Sequence, residues 1–413
     1  MIEFEPRMDR ARSLAEMMPD DCRLHLEGYE NWTLTLHLPL KVQRWRLASP
    51  MVWLQIGEWH TSYAVTPLQG EVAISVPLST DLLYQPLQLV VKHGSLASHA
   101  VKAILAPRPL LDDGNLLIVA PHPDDAEIAA GGLYTQLADH THLVTLSAGE
   151  RLNSLDRQYI SALDAELDTA IIRKGEVRSW NSHATPRLSG IPAERNVLLG
   201  VPDGRAWDLV YHGSDLSPAY PISQARRFNT LTLPGDTAPT WQRASLIAAL
   251  TVLIDRWQPT TLVVTDPEFD SHRDHQAAAL AVAMALEASV VRPQRLLLYA
   301  NHYRDIRQPP GPAFQPAWTP PRCLRRKVFA SPQPCVIPLS LEEQRHKALL
   351  LDAMTDLSLR KPVSRRRRKL ARFERAEDFA LGRDRYFHWA VRSGEYFQQV
   401  SSRDFIQGLL ARK

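Results

Sequence analysis

Two short apolar runs, each breaking into a loop of imidazoles and carboxylates, constrain this chain more than anything else in it. The first is Leu116 to Ala120, followed directly by Pro121-His122-Pro123-Asp124-Asp125-Ala126-Glu127. Its length and wholly apolar composition are those of a strand buried on both faces of a parallel sheet. An apolar-periodic stretch through Ile128, Leu133, Tyr134 and Leu137 comes next, so Asp124, Asp125 and Glu127 fall in or beside the first turn of a helix. Carboxylates are favoured there by the helix dipole. Taken alone, the cluster reads equally well as an acidic helix start with an ordinary loop histidine.

The second run, Thr261 to Thr265, shifts that balance. It opens into Asp266-Pro-Glu-Phe-Asp270-Ser-His272-Arg-Asp274-His275, and an Ala-rich helix pattern follows from Gln276 to Ala288. Two strands of one sheet would thus deliver imidazoles and carboxylates to the same edge, where open α/β sheets bind their ligands. Zinc is held by His nitrogens and carboxylate oxygens, and a catalytic site uses three protein ligands and leaves a position for water. The two loops supply such a set with groups left over for acid and base work.

The run Pro121-His122-Pro123-Asp124-Asp125-Ala126-Glu127, the Gly131-Gly132 pair behind it and Asp270-Ser-His272-Arg-Asp274-His275 downstream together resemble the PIG-L/LmbE-like family of metal-dependent N-acetylglucosaminyl de-N-acetylases. The resemblance implies a Rossmann-like α/β domain, its mostly parallel sheet carrying helices on both faces. It implies His122, Asp125 and His275 as metal ligands, Asp124 as the general base, His272 as a group facing the oxyanion, and Asp274 as an orienting residue for His272, His275 or Asp124. Glu127 would buttress the helix start. Zn²⁺ is the expected metal, with Fe²⁺ or another first-row divalent ion as the alternative. Two further segments resemble family signposts. Arg173-x-x-Glu176 matches the segment whose arginine reaches the substrate, and Leu199-Gly-Val-Pro-Asp203-Gly matches a turn beside the sugar pocket. Arg173 also reads as a surface ion pair with Glu176, and Asp203 as a plain turn residue. The other twelve histidines are assigned to structure or surface.

Before the first motif the patterning changes. Arg23 to Glu27, Trp32 to Leu38, Met51 to Ile56, Glu71 to Val76 and Leu87 to Val91 are short runs of approximate period two, separated by Pro, Gly and Ser. They predict a β-rich, sandwich-like accessory domain over residues 1–108. Trp32, Trp45, Trp53 and Trp59 read as core residues more readily than as sugar-stacking platforms. A de-N-acetylase domain over 109–395 follows, with a helix from Asp156 to Ile172, a loop-rich insert at 204–242 and a closing element at Ala376 to Leu381 that resembles the family's Glu-x-Phe. Residues 396–413 read as a C-terminal tail.

The formal net charge of +3 hides an asymmetry. From Arg360 onward there are 15 Lys/Arg against 6 Asp/Glu, concentrated in Ser364-Arg-Arg-Arg-Arg-Lys369. Such a run can meet an anionic membrane surface or a phosphorylated glycan, or it can be a solvated face with no partner; nucleic acid is not the expected partner. Three cysteines without close-pair spacing and an N-terminus without a signal-peptide pattern point to a cytoplasmic protein, peripheral at most to the inner membrane surface. The function expected is removal of acetyl from an N-acetylhexosamine glycoconjugate, such as a lipid-linked or lipopolysaccharide-core glycan. Two other classes stay open: a glycan-binding protein without activity, and a metallohydrolase acting on an ester or phosphoester.

Overall fold

The structure is a computed structural model that describes residues 1–411 apart from 24, 43–49, 65–69, 161, 304–313, 325, 330 and 358–389. Its N-terminal part is an antiparallel β-sandwich. One sheet runs β1 (Ile2–Phe4), β9 (Lys102–Pro107), β3 (Trp32–Val42), β6 (Glu71–Pro77) and β15 (Trp318–Thr319), with β8 (Gly94–Leu96) also paired to β3. The other runs β2 (Arg12–Ser13), β7 (Pro86–Lys92), β4 (Met51–Ile56) and β5 (Trp59–Ala64). The alternation in β4 does what the sequence pattern predicts: Val52, Leu54 and Ile56 enter the core and Trp53 and Gln55 face out. In β3 it does not, because both faces are buried. Leu34, Leu36 and Leu38 fill the sandwich, whereas Thr33 on the opposite face accepts a hydrogen bond from the backbone N–H of Val336, in the following domain, at 3.0 Å. Arg23 to Glu27, expected as a strand, is not one: a short helical turn, Asp20–Arg23, starts behind Pro19 with acids in its first turn. Trp45 lies outside the described residues.

The second part is a seven-stranded sheet in the order β12 (Asn196–Val201), β11 (Thr141–Ser147), β10 (Asn115–Ala120), β13 (Pro259–Thr265), β14 (Arg295–Tyr299), β17 (Gly394–Val400), β16 (Gln333–Pro338). The first five are parallel, β17 runs antiparallel to β14, and β16 antiparallel to β17. The parallel strands are buried apolar runs, as expected where helices cover both faces. Those helices are α1 (Asp125–Gln136), α2 (Leu167–Leu188), α3 (Arg243–Trp257), α4 (Arg273–Ala288), α5 (Leu341–Ala353) and α6 (Ser402–Leu410). From β10 the chain builds outward through β11 to β12, then crosses back to β13 on the other side. This reversal opens a crevice at the carboxyl ends of β10 and β13, where both His/Asp loops emerge.

Two further expectations change. The helix predicted over 156–172 lies instead at 167–188, which moves Arg173 and its neighbours from a helix end to mid-helix. Residues 396–413 are not a tail: β17 runs through 400 between β14 and β16, and α6 buries Phe405, Ile406 and Leu409 in the core shared with α4. The insert at 204–242 is loop-rich but packed, since Leu209, Val210, Leu216, Ile222, Leu233 and Trp241 belong to that same core and Leu216 and Trp241 exchange backbone hydrogen bonds. The basic run 364–369 and the segment 376–381 lie outside the described residues. Among the described residues no helix is long and apolar enough to cross a membrane.

Candidate metal centre

The turn after β10 is strained where it matters. Asp124 has φ 119° and ψ −31°, a conformation non-glycine residues rarely adopt. Arg178, from mid-α2, holds it by donating to Pro123 O at 2.6 Å and to Asp124 Oδ2 at 3.4 Å, with a further ion pair to Asp356. The helix behind is broken as well. Ala130 is non-helical (φ −137°, ψ 19°), and the N–H groups of Gly132 and Leu133 donate to Glu395 Oε1 and Oε2, both at 2.8 Å. Glu395, on β17, in turn pairs with buried Lys347 of α5. Gly132 makes room for the side chain of Leu339, which a Cβ there would overlap.

At the crevice, Asp125 Oδ2 lies 3.2 Å from His122 Nδ1 and 3.2 Å from His275 Nε2, and the two rings are 5.4 Å apart between centres. Ligand atoms about 2.1 Å from one tetrahedral ion sit about 3.4 Å from each other, so Asp125 Oδ2 stands at ligand spacing from each ring, and His122 and His275 group with His272 within 4.8 Å. His275 Nε2 is fully buried without a hydrogen-bond partner, its close approach to Asp125 lacking hydrogen-bond geometry. That donor set suits a divalent ion. The other nitrogen of His275, Nδ1, contacts Asp270 Oδ2 at 2.9 Å, which orients the ring. Asp274, expected to orient His272, His275 or Asp124, instead faces His122 Nε2 at 3.3 Å and accepts from Gly204 N–H at 2.7 Å. Asp203, expected at the sugar pocket, also stands 3.3 Å from His122 Nε2.

Charge in this crevice follows burial and neighbours. Burial raises Asp124 to about 6, with Arg178 opposing. Burial would lower His275, but Asp125 and Asp270 carry it up to about 10; burial would raise Asp125, but His275 and His122 hold it well below the ordinary carboxylate range. His272 goes the other way, down to about 4, because it is buried beside His275 and His122. It is a neutral ring near pH 7, which removes the protonated form that an oxyanion contact would most favour. Glu127 is pushed up to about 8 by burial, its hydroxyl partner being Tyr134 at 3.4 Å.

One predicted site residue is not there. Arg173 is on the outward side of α2, paired with Asp164. Five positions further on, Arg178 takes its place at the crevice. Several others were not anticipated. Asn301 donates to Asp125 Oδ1 at 2.8 Å, His302 joins Asp125 and His275 in a group with metal-ligand spacing, and Glu150 accepts from Asp203 N–H at 3.0 Å. Each follows the carboxyl end of a buried strand, β14 or β11. The rule that placed His122 and His275 would have found them had it been applied to every strand.

Residues 117–286 match a family model described as "PIG-L: GlcNAc-PI de-N-acetylase". Over these residues the chain carries a domain of the PIG-L family. Its members are amide hydrolases acting on carbon–nitrogen bonds other than peptide bonds. No curated protein matches the chain in sequence. Among solved structures, the chain is similar to N,N'-diacetylchitobiose deacetylase from Pyrococcus horikoshii (15% identity over 71% of this chain and 86% of that one, TM-score 0.37). It is similar too to the conserved protein TT1542 from Thermus thermophilus (18%, 68% and 93%, TM-score 0.35) and to the 4-carboxy-2-hydroxymuconate hydratase GalB from Pseudomonas putida (15%, 70% and 96%, TM-score 0.36). Likenesses this distant say nothing of what the present chain acts on.

Proposed function

We propose that the PIG-L domain removes the N-acetyl group from an N-acetylhexosamine-containing glycoconjugate by metal-assisted hydrolysis, releasing acetate and a free amine. The observation that carries this reading is the convergence of His122, Asp125 and His275, with one carboxylate oxygen 3.2 Å from a ring nitrogen of each histidine. These three would hold Zn²⁺, or Fe²⁺ in its place. A divalent ion bound there brings the pKa of its water towards about 7 and polarises the amide carbonyl.

The surrounding side chains have distinct work. Asp124, raised to about 6, takes the proton from the attacking water and returns it to the departing amine. Arg178 keeps that carboxylate and the strained turn in place. His272, neutral and with an unpartnered Nδ1, donates a hydrogen bond to the carbonyl oxygen as charge develops on it. Asp270 and Asn301 hold His275 and Asp125 in orientation, and Asp203 with Glu150 lines the wall that meets the sugar hydroxyls. The basic run at 364–369 favours an anionic glycan, lipid-linked or of the lipopolysaccharide-core kind.

Mass spectrometry of a panel of N-acetylated glycoconjugates tests the proposal. Loss of one acetyl group, abolished by chelator and restored by Zn²⁺, is the expected result. Hydrolysis confined to esters or phosphoesters would refute it.

A further inference from the structure

Several arginines around the crevice have a carboxylate partner. Arg178 is paired with Asp124 and Asp356, Arg173 with Asp164, and Arg205 with Asp208. Arg151 and Arg273 are exposed, and among the described residues neither forms an ion pair. Both border the wall that meets the sugar.

Arg151 follows Glu150 in the loop after β11. Its backbone N–H donates to Asp203 Oδ2 at 3.1 Å, and its guanidinium lies across Gly204, where a Cβ would overlap Nη1. Gly204 has φ 76°, so both its conformation and the space over it call for glycine. Arg273 arrives from the second loop as the first residue of α4, between His272 and Asp274. Its Cζ is 5.7 Å from the centre of the Trp207 ring, within cation–π range, and Trp207 is stacked on Tyr211 at 3.8 Å and 14°. Leu209 and Val210, buried in the core, anchor the segment that carries both rings. The turn and the helix start are joined directly, since Gly204 N–H donates to Asp274 Oδ2 at 2.7 Å.

Helix stability does not account for Arg273, because a cation on the first residue opposes the dipole that favours acids there. A guanidinium resting over an aromatic ring keeps its edge N–H donors for a ligand, and that planar fork matches two oxygens of a phosphate or a carboxylate. Arg151 brings a second fork to the same turn. We propose that Arg151 and Arg273 determine specificity by binding an oxyanion group, phosphate or carboxylate, on the substrate. Each arginine is one residue from a group of the site, so the oxyanion belongs close to the acetamido carbon. In a glycoconjugate that place is the aglycone on the adjoining anomeric carbon. Trp207 is the positioning residue for Arg273. The inference rests on the de-N-acetylase reading, which supplies the sugar, and adds that a neutral glycoside of that sugar is a poor ligand.

Binding is measured by isothermal titration on the zinc-loaded full chain carrying Asp124→Asn, so that turnover does not consume the probe. The probes are the methyl glycoside of N-acetylglucosamine, its carboxymethyl glycoside and N-acetylglucosamine 1-phosphate; the last two separate carboxylate from phosphate. At least one anionic probe is expected to bind about ten-fold or more tighter than the methyl glycoside. Arg151→Gln and Arg273→Gln should each reduce that ratio by about ten-fold, Arg273→Lys should restore part of it, and Trp207→Leu should lower it. A merely structural role weakens all three probes alike and leaves the ratio in place. Equal binding of the three probes, or none, overturns the proposal. So does a ratio that the Gln variants leave unchanged, the anion then sitting on the metal. Acetate release by the wild type is read separately: an anion preference without release from any probe removes the hydrolytic reading and leaves the binding site standing.

Discussion

Replacing Glu395 by Gln probes the device that ties the antiparallel end of the sheet to the helix bearing the site. Glu395 is buried and receives three donors: the Gly132 and Leu133 N–H groups and the Lys347 ammonium. The amide keeps the size and one acceptor oxygen but loses the charge. One backbone N–H then faces an amide NH₂, and a buried ammonium, already lowered by burial, has no counter-charge. Breaking a buried ion pair from one side costs about 3–5 kcal/mol. For a chain of 413 residues, about 2.1 cal/mol/K of unfolding entropy per residue converts 4 kcal/mol into a drop in Tm of about 4–5 °C. The companion Lys347→Met/Glu395→Gln removes the stranded charge and should recover a third or more of that loss. Scanning calorimetry and urea unfolding of the wild type, both single variants and the double variant measure the coupling directly. A Glu395→Gln protein within about 0.5 kcal/mol of wild type, or a double variant whose loss equals the sum of the singles, would show that the capping reasoning is wrong.

At the site, Asp124→Asn should keep its metal and lose about 10²–10⁴-fold in turnover, whereas His122→Ala should lose both; elemental analysis beside kinetics separates the two. Activity should fall on the acid side as Asp124 takes up a proton, because burial raises that carboxyl. Arg178→Met removes a cation that favours the carboxylate, so that fall should move to higher pH, while Arg173→Ala should leave the pH profile and KM unchanged; a pH–rate series on both decides it. Gly132→Ala pushes a methyl into Leu339 and should cost about 1–3 kcal/mol in a urea titration.

Much of the site was legible because strand ends are local. A buried apolar run followed by polar residues announces both the strand and the loop at its end, and His122, Asp124, Asp125, His272 and His275 stand where that rule puts them. Arg178 was not legible, because which side of a 22-residue helix faces the crevice is a rotational question. With Pro186 and His183 inside it, α2 shows no apolar stripe to settle the matter. Five residues turn a helix through about 140°, enough to send Arg173 to Asp164 at the surface and Arg178 to Asp124.

From its sequence alone, then, the chain determines a parallel sheet, an antiparallel β-rich domain before it, and two His/Asp loops with the donors of a hydrolytic metal centre. Short-range patterning carries all of these: strand period, loop composition and the order of residues within a motif. Tertiary structure alone decides the partners. It assigns Asp270 to His275 and Asp274 to His122, admits Asn301 and His302, turns the supposed tail into the end of β17 and α6, and brings Glu395 of β17 to the break in α1. A hydrogen bond joins atoms about 3 Å apart regardless of the chain between them, and the chain between Gly132 and Glu395 is 263 residues long.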